Sequence, residues 1–288
     1  PVFYVAEDAS GNWAVVDGIQ RLTTIFDFVT NQYQLEKLEY LTNLNDSRFE
    51  DLPRPMQRRI EETSLVINII QDGTPEPVMI NIFNRINTGG LPLSAQEVRN
   101  ALYKGDMRKL LQNLAKSPEF AAATANSIDD KRMGAQELIL RFLSFYKCPW
   151  QSYVQEKLSL DEFLNREMQE LSGKSLEQLE PLAKIFKHVM HCASQLFGDN
   201  AFRKFPNGSA RRSPVNRALF DSIGVTLAGL SDKDMYTLLQ RKQQLSEALR
   251  ALLADERFDK AISSSTGSLA NVQVRFAGIE SVFSEVLK

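Results

Sequence analysis

A chain of 288 residues with 43% hydrophobic and 24% charged side chains has a soluble globular composition, long enough for one large or two ordinary domains. Its net charge of −2 demands neither nucleic acid nor a membrane as partner, so any basic surface has to be local. Two cysteines, Cys148 and Cys192, exclude a secreted disulfide framework and point to the cytoplasm; no apolar run reaches membrane-span length and no signal peptide is visible.

The chain opens without Met on the strand-like VFYV, as expected of a fragment lacking upstream elements. PVFYV, DASGN and WAVVD predict a β-hairpin with a polar turn, and LTTIFDFV at 22–29 carries apolar residues at helical spacing. Asp17-Gly18 therefore falls at a strand-to-helix junction. The N–H groups at such a helix start lack partners, and with Arg21 one turn in they form a site for a phosphate or another anion. Beside that anion Asp17 could accept a proton, orient water or hold a metal ion. On the other side, Asp-Gly is an ordinary turn dipeptide and Arg21 fits a solvated first turn. Polar segments then run to about residue 52, followed by a helix around Pro55 to Glu62 and LVINII at 65–70, expected as another strand of the same small sheet.

IFNRINTGGLPLSAQEVRNAL at 82–102 is the second informative stretch. A helix starting at Pro75 and Pro77 should run through Phe83 and Arg85 until Gly89-Gly90 breaks it. Ser94 and Glu97 form a capping box, so a second helix starts at Leu93 or Ser94 and ends near Gly105. On it Glu97 and Arg99 fall on different faces, while Gln96, Arg99 and Asn100 can cluster. Paired glycines can simply make a tight connection, or let the backbone approach a ligand while Arg85, Asn87 and Arg99 supply donors.

From residue 106 the sequence reads as almost entirely helical. KLLQNLA at 109–115 and ELILRFLSFY at 137–146 repeat apolar residues at three- and four-residue intervals. Ser159 with Glu162, Ser175 with Gln178 and Ser231 with Asp234 mark further helix starts, and Gly173 and Gly198 mark stops. His188 and Cys192 share a helix face beside His191, but the rest of a zinc set is missing, so no metal site is assigned. The segment FRKFPNGSARRSPVNR at 202–217 holds Arg203, Lys204, Arg211, Arg212 and Arg217 without an acid. As a loop it is either solvated or a nucleic-acid contact that binds phosphates and stacks a base. Trp13 and Trp150 read as packing residues. Neither a nucleophilic triad nor a GxxxxGK[ST] loop is present, so any nucleotide chemistry falls to the Asp-Gly junction.

DG-x-QRLTT followed by F-x-RINTGG-x-PLS-x-QE-x-RNAL resembles the N-terminal domain of GmrSD-type modification-dependent restriction enzymes and of SspE-like phage-defence proteins. The likeness extends more loosely to LRF at 140–142, ALFD at 218–221 and the segment from Thr266 to Arg275. It implies a ParB/sulfiredoxin-like core whose DGQQR motif binds and hydrolyses a nucleoside triphosphate with Mg²⁺, coupled to DNA recognition or cleavage. Carried over, it nominates Asp17, Gln20 and Arg21 as catalytic, with Gly18 and Thr23 in the same motif binding the nucleotide. Arg85, Asn87, Gly89, Gly90, Glu97, Arg99 and Asn100 become the supporting shell. Ile19 stands where the family motif has its first Gln, and the family's upstream segment and HNH nuclease half are expected to be absent.

The expected architecture is α+β: a small ParB/sulfiredoxin-like mixed-sheet domain, N-terminally incomplete, over 1–105, then a larger all-α helical domain over 106–288. The expected function is a nucleoside-triphosphate-binding and hydrolysing component of a DNA-targeting defence system, its DNA open to modification. The alternative is a non-catalytic sensor or adaptor for nucleotide or modified DNA that acts with a separate nuclease subunit; a blander third is a helical interaction module whose sheet domain has lost activity.

Overall fold

The computed structural model describes residues 2–7, 11–71, 73–75, 78, 79, 82, 93–204 and 212–288. The fold is α+β and divides into two compact units, Pro1–Leu93 and Ser94–Lys288. In the first, β1 (Val2–Glu7) and β2 (Trp13–Asp17) form the expected antiparallel hairpin. Strand β3 (Val66–Ile70) joins β1 in parallel, so the mixed sheet runs β2-β1-β3. A parallel pair needs a crossover, and here it contains α1 (Ile19–Val29) and α2 (Arg54–Glu61). Phe28 from α1 meets Phe49 edge-on at 5.8 Å, and with Leu44 and Leu52 they make a small core. Pro53 and Pro55 suit the start of α2, because the first helical N–H groups have no intrahelical acceptor to lose.

The helical unit opens with α3 (Ala95–Leu102), capped by Ser94 and Glu97 as the sequence indicates. It continues through α4 (Asp106–Ala115), α5 (Pro118–Ala123), α6 (Gly134–Lys147), α7 (Trp150–Glu156), α8 (Leu160–Ser172) and α9 (Leu176–Phe197). Then come α10 (Arg217–Ala228), α11 (Asp232–Gln240), α12 (Lys242–Ala254), α13 (Glu256–Ser263) and α14 (Leu269–Leu287). Ser159, Ser175 and Ser231 each accept from the N3 backbone N–H while the N3 side chain returns to the cap, and Gly173 and Gly198 close α8 and α9. The large core is built around α6, where Phe142 packs on Phe186 at 5.4 Å and Phe145 on Phe163 and Phe276 at 5.0 and 5.1 Å. Each fully buried side chain of this size contributes about 1.5–3 kcal/mol, so this core dominates the unit's stability. Among the described residues no helix is long and apolar enough to cross a membrane.

Candidate functional site

Strand β2 ends at Asp17 and α1 begins at Ile19, leaving Gly18 to make the turn. Its φ of 94° lies in the left-handed region, and a Cβ there would come within 2.4 Å of Phe3 Cδ1. Phe3 is wholly buried on β1, and Arg21 lies over its ring with the guanidinium carbon 5.0 Å from the centroid. From that position Arg21 Nη2 donates to Asp17 Oδ2 at 2.8 Å. The result is a clasp across the helix start, floored by an aromatic ring.

The first intrahelical bond of this turn runs from Leu22 N–H to Gly18 O at 2.9 Å, and among the described residues no side chain caps the helix. The N–H groups of Ile19, Gln20 and Arg21 therefore precede the hydrogen-bond ladder at the positive end of the helix dipole. The side chains of Arg21 and Asp17 are 48% and 30% exposed, and Ile19, Gln20 and Thr23 are exposed around them. A solvent-reachable cation, free amide donors and a carboxylate in one turn can receive a phosphate and hold water beside it.

Glu97, Arg99 and Asn100 belong to the helical unit and are engaged there. Glu97 accepts from Arg132 at 2.8 Å; burial raises its pKa, but Arg132 and the Ser94 cap outweigh this and leave the carboxyl below its ordinary range. Arg99 pairs with Asp161 and donates from Nε to Asn165 at 2.8 Å. The expected cluster on α3 forms, with Gln96 donating to Asn100 at 3.1 Å and Arg99 to Gln96 at 3.3 Å. It extends into α6 through Asn100 to Gln136 at 2.7 Å. Buried polar groups need such partners, and this network ties α3 to α6 and α8. Arg85, Asn87, Gly89 and Gly90 lie outside the described residues, as does most of the helix expected to precede Gly89.

In the basic segment Arg211 likewise lies outside the described residues. Arg203 is buried and turned inward, donating to Thr124 O and Ser127 Oγ at 2.7 Å each and to the carbonyls of Asp199 and Ser213. It locks the ends of the segment to the protein. Lys204 pairs with Asp259, Arg212 with Asp199 at 3.0 Å, and Arg217 with Glu137 at 3.0 Å. A nucleic-acid phosphate at these three would have to displace a carboxylate from each. His188 Nε2 and Cys192 Sγ are 3.5 Å apart, and among the described residues no three ligating side chains gather. Trp150 packs on Phe276, whereas Trp13 is more than half exposed and donates to Glu7 at 3.3 Å.

A buried ionic cluster in the helical unit escaped the sequence reading. Asp221 on α10 accepts from Arg141 of α6 at 3.1 and 2.5 Å and from Arg275 of α14 at 2.8 Å. Arg275 also donates to Thr266 O and stacks against Phe145 and Phe276. Its Nε finds no acceptor among the described residues. Two arginines thus share one carboxylate. Burial pushes Arg275 down to about 10, with Asp221 opposing and Arg141 adding to the push. Burial also lowers Arg141, but its two bonds to Asp221 overcome that and hold it above its ordinary value. The signal was available as Arg and Asp set within the apolar faces LRF and ALFD.

Residues 1–104 match the family model described as GmrSD restriction endonuclease, N-terminal domain. No curated protein and no solved structure matches the chain.

Proposed function

We propose, from the match of residues 1–104 to the GmrSD restriction endonuclease N-terminal domain model, that the protein is a component of a restriction or phage-defence system directed at DNA, and that its Asp17–Arg21 clasp binds and hydrolyses a nucleoside triphosphate. The carrying observation is the clasp itself: an exposed arginine and three uncapped N–H groups at one helix start, with a carboxylate in hydrogen-bond contact. In this reading Arg21 and the amides hold the phosphates, Gln20 orients the substrate, and Thr23 and Gly18 complete the binding turn. Asp17 orients the water that bonds to the terminal phosphorus and takes up its proton as the bond to the bridging oxygen breaks, releasing nucleoside diphosphate and phosphate. Arg21 engages Oδ2 of Asp17, and the same carboxylate would be the protein ligand for a Mg²⁺ arriving with the triphosphate. Mg²⁺ there would neutralise developing phosphate charge.

A second reading, nucleotide or modified-DNA sensing on behalf of a separate nuclease, is favoured by Ile19, which is 60% exposed where the family motif has a glutamine. Phosphate release from GTP, ATP and CTP with Mg²⁺, with and without DNA, separates the two. Hydrolysis expects release that Arg21→Ala abolishes. No release from any nucleotide, together with nucleotide-dependent thermal stabilisation that Arg21→Ala removes, decides for sensing.

A further inference from the structure

Arg21 does not stand free at the start of α1. Its Nη2 donates to Asp17 Oδ2 at 2.8 Å, and the Phe3 ring beneath it holds the guanidinium in that place. The pair is neutral as a whole, so an incoming phosphate is offered the partial charge of three N–H groups and an arginine that already has a carboxylate. A phosphate that takes Arg21 Nη2 meets Asp17 bonded to the same nitrogen, and two anions at one guanidinium repel each other. A divalent cation between them reverses the sign, because it attracts both. Among the described residues no three metal-ligating side chains gather, so the protein does not cage such an ion by itself. Mg²⁺ has to bring phosphate oxygens with it as ligands, and one exposed carboxylate is enough to receive the complex.

We propose that Asp17 is the specificity-determining residue of the clasp: it admits polyphosphates as their Mg²⁺ complexes and turns away bare phosphate, sulfate and metal-free nucleotide. The proposal rests on the nucleotide reading of the clasp and adds to it a filter on the form of the ligand. The sign of the metal effect separates this filter from an ordinary arginine site. Chelation lowers the negative charge of a triphosphate, so a site of arginine and amides alone binds the Mg²⁺ complex less tightly than the free anion. With the Asp17 carboxylate on the arginine, that order is inverted.

The test is equilibrium binding of the β,γ-imido analogues of GTP, ATP and CTP, which resist cleavage at the terminal bridge, to the full chain in excess Mg²⁺ and again in EDTA. Wild type is compared with Asp17→Asn, which keeps the size of the side chain and an oxygen for Arg21 and loses only the charge, and with Asp17→Ala. The pair is solvent-exposed, so both variants should melt close to wild type without ligand. The expected result is at least one analogue that binds wild type about tenfold tighter with Mg²⁺ than without, while both variants lose or invert that preference by gaining affinity for the metal-free form. Wild type that binds the metal-free analogues as tightly as their Mg²⁺ complexes, or variants that keep the wild-type preference, overturn the filter while the phosphate reading of the clasp stands. Wild type that binds neither form overturns the phosphate reading and this proposal with it.

Discussion

The Asp17–Arg21 pair at the strand–helix junction is 30% and 48% exposed, whereas Asp221 and its two arginines are at most 4% exposed. The chemistry is the same and the consequences diverge. Water screens the first pair, so it adds little stability and can exchange its partner for a ligand. The second cannot exchange anything, and its single carboxylate is what keeps two guanidinium groups tolerable inside an aromatic core. Where the chain keeps an arginine wet it has a candidate site; where it buries one it has a joint between helices.

Removing Asp221 should produce the largest effect. Asp221→Ala leaves Arg141 and Arg275 without their shared acid and is expected to cost about 3–5 kcal/mol in urea unfolding. Arg275→Met leaves a neutral Arg141–Asp221 pair and should cost less, about 1–3 kcal/mol. Equal losses would contradict the view that the acid is the limiting member.

Next in size is Gly18→Ala, which meets both a left-handed φ and the Phe3 ring; about 2 kcal/mol of local stability should be lost, read as faster amide exchange in β1 and β2. Unchanged exchange would mean that Phe3 does not fix the turn. Arg21→Ala should be the smallest, below about 1 kcal/mol, while removing nucleotide binding. A large stability loss there would erase the distinction between the two regions.

What the sequence made legible was local. The capping boxes at Ser94, Ser159, Ser175 and Ser231 are contacts between residues three apart, and the hairpin, the junction at Gly18 and the Gln96–Arg99–Asn100 cluster are equally short-range. Phe3 beneath Gly18 was not legible, because it depends on the pairing of two strands. The inward turn of Arg203 depends on Thr124, 79 positions away, and the Arg99–Asp161 pair spans 62. Composition marks Arg203 as part of a basic loop; only the packing of the helical unit converts it into a buried clamp. Strand β3 was expected in the sheet, but its place beside β1 follows from the parallel crossover and not from any motif.

The central claim is that phosphates are held at the start of α1. Hydrogen–deuterium exchange of the full chain with and without GTP, ATP or CTP and Mg²⁺ tests it at the residues concerned. The amides of Ile19, Gln20 and Arg21 should become protected by at least one nucleotide in wild type and remain unprotected in Arg21→Ala. Saturating nucleotide that leaves these amides unprotected in wild type, or that protects them equally in Arg21→Ala, would contradict it.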